Sequence, residues 1–252
     1  MDKTDRRNSK KEEAVRFYRN AQIEEIAEKR VGEFAALLGR PLAPPIDIEL
    51  FGDLVLGLSI SWEPIEELVG EEVLGGLRAP TRQVVMNEKR LAALEAQSGR
   101  RRLTQGHEMG HWDLFVDQSK LDHPTLFEAA AASMFAFRSA PGGKVQIFSR
   151  LLTTPEGIEM IRQIQRRGDE PDERRTVNRY AGAILMPRQM ITEDGRRTNR
   201  NAWPPLYRLA ERYDVSISAL CVRLEQLGLI CISDGKPYES RDTVTGQMGL
   251  GL

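Results

Sequence analysis

Apolar positions along the chain follow two periods, one helical and one extended, and their order outlines the fold. Ile23, Ile26, Ala27, Val31, Phe34, Leu37 and Leu38 recur at helical spacing, so a helix is expected to about Leu38. Gly39 and Pro41 supply its stop. Residues 44–57 read as a short helix started by proline. Leu58 to Trp62 alternate as a half-buried strand does, and two more strands are expected at 73–79 and 82–87 around the Ala79, Pro80, Thr81 turn. Together these predict a small antiparallel sheet packed beside helices.

Residues 88–97 read as helical, and the basic run Arg100 to Arg102 leads into a further helix. Beyond it, the pattern predicts a buried helix at 125–138, a strand at 144–149 and a helix at 155–167. Pro171 suits the first turn of a helix that runs to Met186. Short helices follow at 204–212 and 216–227, then a strand at 229–233. The ends differ from this. Residues 1–13 mix both charge signs with almost no apolar content, and the segment from Asp234 carries little apolar surface, so a leader over 1–19 and a tail over 234–252 are expected to be flexible. The expected class is α+β, mostly helical.

Composition narrows the function classes. Apolar residues make up 40% of the 252, enough for a core, and the charges nearly cancel at net −1. That balance argues against bulk electrostatic binding to nucleic acid or to an anionic membrane. No apolar run approaches the roughly 20 residues that cross a bilayer, and the charged N-terminus has no apolar signal core. A cytoplasmic protein without a membrane partner is expected. Cys221 and Cys231 lack a CxxC spacing, so neither a disulfide framework nor a Cys-rich zinc module is expected.

Candidate chemistry lies at His107, Glu108, Met109, Gly110 and His111, an H-E-x-x-H pattern. Positions 107 and 111 stack on one face of a helix, one turn apart. Two imidazoles so placed can reach one zinc ion through ring nitrogens. Glu108 points about 100° away from His107. It is free there to act as a general base on water that the metal polarises. The chain has three histidines, and two of them fall in this motif.

With these residues in place, the sequence resembles the ImmA/IrrE family of metallopeptidases. The resemblance covers about residues 20–115 and 173–233. It rests on PIDI at 45–48, QVVMN at 83–87, RRLTQGHEMGH at 101–111, NRYAGAILMP from Asn178 to Pro187, and LAERYDVSISAL at 209–220. The resemblance implies a Zn2+ site of two histidines and one glutamate, with a second glutamate as general base. It also implies a protein substrate, a helix-turn-helix transcriptional repressor whose cleavage relieves repression. On this reading the domains are a metallopeptidase domain at 20–200, with an insertion at 117–170, and a helix-turn-helix-like subdomain at 201–233.

The chain departs from the family at two points. The stretch between His111 and Asn178 is long, which marks out the insertion. The family's third ligand lies four residues before the Asn178 position, where this chain has Arg174; Glu173 is one residue early. Glu173 is the expected third ligand, because a first helical turn can shift. Asp117, Asp122, His123, Glu170 and Asp172 remain as alternatives. A regulator on the same scaffold that lost catalysis and acts by binding DNA or protein is the second functional reading.

The 206–227 segment has a helix-turn-helix pattern, and such units read DNA with residues at the start of the second helix. Here those residues are Ser216, Ser218 and Ala219, and the charges over 204–230 cancel. A DNA-reading unit is basic, so a packing or protein-docking role is expected. In a mobility-shift titration at physiological salt the protein should bind duplex DNA only weakly, at about 10⁻⁴–10⁻⁶ M or worse. Nanomolar affinity for one sequence would reverse this expectation.

Overall fold

A computed structural model describes residues 17–65, 67, 72–121 and 171–239, with two short strands at 136–139 and 146–147. Helix α1 (Asn20–Leu38) buries Ile23, Ala27 and Phe34 and ends at Gly39, whose φ of 62° is the left-handed cap that glycine adopts without a Cβ penalty. Helix α2 (Ile48–Leu56) starts later than the prolines suggest. Asp47 is its N-cap and accepts a hydrogen bond from the Leu50 backbone N–H at 3.0 Å, so the side-chain cap does what proline was expected to do.

Strands β1 (Ser59–Glu63), β2 (Val73–Arg78) and β3 (Gln83–Asn87) match the expected strand positions, with a 3₁₀ turn at Ala79–Thr81 between the last two. The sheet is mixed, however, and not purely antiparallel. β3 lies between the other two, antiparallel to β2 and parallel to β1. The reason lies in burial: Val84, Val85 and Met86 are fully buried in succession, as in a central strand covered on both faces. Lying between β1 and β2, β3 has a strand on either side.

Strands β4 (Ala136–Ser139) and β5 (Gln146–Ile147) come from the insertion and extend the sheet beyond β2 in the order β1-β3-β2-β4-β5. The strand expected at 144–149 thus corresponds to β5. The helix expected at 125–138 ends differently: its last three residues are in β4, and 125–135 lie outside the described residues, as does the helix expected at 155–167.

After the short helix α3 (Leu91–Glu95), the long helix α4 (Ser98–Phe115) and the short helix α5 (Gln118–Leu121), the next described helix is α6 (Pro171–Leu185). Helix α7 (Arg188–Arg197) follows, an element that the polar-rich pattern RQMITEDGRR did not signal because it buries only Ile191 and Gly195. Then come α8 (Trp203–Tyr213), α9 (Ile217–Gln226) and a hairpin of β6 (Cys231–Ser233) with β7 (Lys236–Tyr238). β7 places order in a stretch expected to be tail. The protein is α+β, and no helix among the described residues is long and apolar enough to cross a membrane.

One apolar cluster runs from Ile23 and Phe34 through Trp112 and Tyr180 to Leu206, Leu220 and Leu224. The helix-turn-helix-like pair therefore shares its core with the α4–α6 layer. A buried ion pair joins the two ends of this body. Arg223 of α9 donates to both carboxylate oxygens of Glu24 in α1, at 2.6 and 2.9 Å, and its Nε donates to the Met186 carbonyl at 3.1 Å. Arg179 of α6 lies 2.9 Å from the same carboxylate and Arg188 3.5 Å from it.

Burial pushes the Glu24 carboxyl upward, but the Arg223 hydrogen bonds and the charges of Arg223, Arg179 and Arg188 outweigh it and hold it below the usual value. A depressed folded pKa gives stability that is present above the unfolded carboxylate value of about 4.3 and is lost as pH falls through the folded one. Replacing Glu24 with Leu should destabilise the fold by about 3–5 kcal/mol in urea unfolding, since Arg223 is left buried without its carboxylate. Glu24→Leu should also flatten the loss of stability below about pH 4. An unchanged acid limb would show that another carboxylate governs it.

Candidate metal centre

The site begins as a seam between two helices. Gly106 and Gly110 lie one turn apart on α4 and face α6. A Cβ on Gly106 would sit 3.3 Å from the Cβ of Ala181, and one on Gly110 would sit 3.1 Å from the Cβ of Val177 and 3.3 Å from the Tyr180 ring. Without side chains at these positions the helices approach closely. His107 and His111, each the next residue along, are carried to the edge of the same seam. Polar contacts on the far side hold the register. The buried Tyr180 hydroxyl donates to Asp113 Oδ2 at 2.9 Å, and Arg30 of α1 donates to the same carboxylate at 3.0 Å. Burial, followed by the Asp113 charge, pushes the Tyr180 hydroxyl well above its ordinary pKa, so it remains a donor.

The two imidazoles meet nitrogen to nitrogen. His107 Nε2 lies 3.0 Å from His111 Nε2. Behind them, α6 supplies one partner to each ring: Asn178 Oδ1 is 2.7 Å from His107 Nδ1, and Glu173 Oε1 is 3.0 Å from His111 Nδ1. With each Nδ1–H donating outward, both Nε2 lone pairs point at each other. Two such lone pairs at this separation repel unless a proton or a metal ion lies between them. Two nitrogens bound to one tetrahedral zinc at about 2.0–2.1 Å are roughly 3.3 Å apart, close to what is found. The donor set therefore fits zinc at these two positions. Outward-facing partners on Nδ1 are also the usual orienting contacts of zinc-bound histidine.

Of the expected site residues, the structure brings His107, His111 and Glu108 together on α4, with His107 and Glu108 each 3% exposed. Glu173, the expected third ligand, is brought to the same pair. Its carboxylate meets His111 on the ring nitrogen that faces away from His107. The physical reason is the offset: one residue turns a helical position by about 100°, and here that turn carries Glu173 behind the ring. Arg174 takes the position facing the cavity. Among the described residues, no three His, Cys, Asp or Glu side chains are gathered closely enough to hold a metal ion. Asp122, His123 and Glu170 lie outside the described residues, as does the side chain of Asp172.

A cavity of about 350 Å³ opens beside the pair, with His107, Glu108 and Asn178 on one side. Its opposite wall is the helix-turn-helix-like unit: Ser216, Ser218, Ala219 and Val222 line it. The residues that a DNA-reading helix would present to a groove thus face the cleft. The start of α4 holds this unit in place. A Cβ on Gly99 would sit 2.7 Å from the Ser216 nitrogen, so the backbones touch there. Asp214, at a φ of 49°, accepts a hydrogen bond from Ser98 Oγ and pairs with Arg102 Nε at 3.5 Å. Sequence reasoning quoted Asn178 within a motif but gave it no role, and it missed this clamp. Both depend on contacts between residues far apart in the chain.

No protein-family model matches the chain, and no curated protein matches it. Among solved structures it is similar to a Mycobacterium tuberculosis transcriptional regulator, at 14% identity and a TM-score of 0.45, over 85% of this chain. The chain spans about half of that protein, 51% of its length.

The contact between Glu173 and His111 Nδ1 yields a measurable distinction. Loss of an orienting partner typically weakens metal affinity by roughly 10–100-fold. Glu173→Ala should therefore still take up one zinc, at an affinity lower by that factor, whereas His111→Ala should lose it. If Glu173→Ala binds no zinc under conditions that saturate the wild type, Glu173 is itself a ligand.

Proposed function

We propose that the protein is a zinc-dependent endopeptidase of the ImmA/IrrE kind that works in the cytoplasm on a protein substrate, a helix-turn-helix transcriptional repressor. The observation that carries this reading is the 3.0 Å convergence of two Nε2 atoms whose Nδ1 atoms are each backed by a partner on α6. His107 and His111 would hold the ion. When bound, zinc would supply Lewis acidity toward a peptide carbonyl and toward attacking water.

The remaining roles belong to the chain's own side chains. Asn178 and Glu173 would fix the tautomers and the ring planes of the two histidines. Glu108, on the cavity wall one position beyond His107, would take the proton from the attacking water at its carboxylate and pass it to the leaving amine. Burial of His107 and of Glu108 would limit competing solvent.

One observation favours the second reading, a regulator that acts by binding and does not cut. Among the described residues, a third ligand does not join the two histidines. Zinc content and turnover separate the two readings. Wild-type protein loaded with zinc should cut a repressor encoded beside it, as read by mass spectrometry of the products. Glu108→Gln should keep its zinc and cut about 10²–10⁴-fold more slowly. Zinc-free protein that never cuts but still binds the repressor would instead establish the binding regulator.

A further inference from the structure

The cavity beside His107 and Glu108 is more apolar than a general polar cleft requires. Leu74 of β2, Leu103 of α4, Met186 at the end of α6 and Ala219 and Val222 of α9 contribute aliphatic surface from four elements. Val222 is 52% exposed, although its neighbours Cys221 and Leu224 on the same helix are buried. Gly182 keeps part of the wall open: a Cβ there would have no contact nearer than the Arg223 Cδ at 3.8 Å. The volume of about 350 Å³ falls within the range of ligand pockets, about 300–1,000 Å³.

Three arginines also line it, and they differ. Arg100 is spent on Glu72, with an Nη2–Oε2 distance of 2.7 Å, and Arg223 on Glu24. Arg174 lies half-buried on the wall and makes no ion pair with any described residue. It places a cation on the wall of the cleft without an ion pair to a described residue.

We infer that this cavity is a subsite for an extended peptide segment that carries an aliphatic side chain next to a carboxylate, with Val222 and Ala219 of α9 as its selectivity wall and Arg174 as its anion partner. The inference rests on the peptidase reading for its peptide ligand, because the cavity opens at Glu108, where a scissile bond would lie. It assigns the helix-turn-helix-like unit a use in substrate selection. An aliphatic side chain is favoured by the area it buries against Leu74, Leu103 and Val222. A carboxylate is favoured because it pairs with Arg174 in a partly desolvated place, where a charge-assisted hydrogen bond is strong.

The test uses the full-length, metal-free protein and two capped dipeptides, acetyl-Leu-Asp-amide and acetyl-Asp-Leu-amide, titrated by NMR. At least one should bind saturably. Exchanging its Leu for Ala, or its Asp for Asn, should each weaken binding roughly tenfold. Val222→Asn should abolish the Leu-over-Ala preference, and Arg174→Gln the Asp-over-Asn preference, each leaving the other in place. Both positions are partly exposed, and the peptide substitutions on wild-type protein test the same point if a variant misfolds. Absence of saturable binding by both probes, or failure of either preference, overturns the proposal. Because metal and turnover play no part, selective binding by a protein that never cuts would leave the subsite standing and remove the peptidase reading. Zinc-dependent cutting without either preference would do the opposite.

Discussion

The close approach of α4 and α6 is the constraint on which the rest depends. A Cβ on Gly106 or Gly110 would crowd Val177, Tyr180 and Ala181 at 3.1–3.3 Å, so these neighbours would have to give way by a few tenths of an ångström. Interiors are packed densely enough that even one added methyl forces a shift. At this short separation α6 can reach both histidines with short polar side chains. Asn178 and Glu173 meet His107 and His111 at 2.7 and 3.0 Å only because the helix axes are this near. A wider seam would leave both rings free to rotate, and the two Nε2 atoms would lose their common focus.

Around that seam, charged groups tie distant parts of the chain to the same body. Glu24 near the start of the described chain gathers Arg179, Arg188 and Arg223 from three later helices. Arg30 and Tyr180 converge on Asp113, one residue before Leu114 in α4. Buried ionic groups of this kind are costly to take out of water and rigid once paired. Here they fix the angles at which α1, α6 and α9 surround α4, so the cleft has a defined wall opposite Glu108.

That wall is the α8–α9 unit. Its turn is held against the start of α4 by backbone contact at Gly99 and by Asp214 with Ser98 and Arg102. A helix pair built to read DNA needs an outward-facing second helix. In this protein the first turn of that helix lines the same cavity as His107 and Glu108, and its buried residues Leu220 and Leu224 belong to the common core. The unit is therefore part of the cleft.

Local pattern alone was enough to place α1, the three first strands, α4 and α6, and to single out His107, Glu108 and His111, because helical and extended periods and an i, i+4 pair of histidines are properties of neighbouring residues. It could not foresee the parallel pairing of β1 with β3, since local pattern does not say that β3 inserts between β1 and β2. Helix α7 escaped notice because it buries too little to carry a period. The placement of Glu173 lay further out of reach. Its residue type and its approximate position were legible, but which nitrogen of His111 it meets depends on the rotation of α6 against α4. That rotation is set by contacts at Gly106 and Gly110 between segments separated by the whole insertion, and only the tertiary structure decides it.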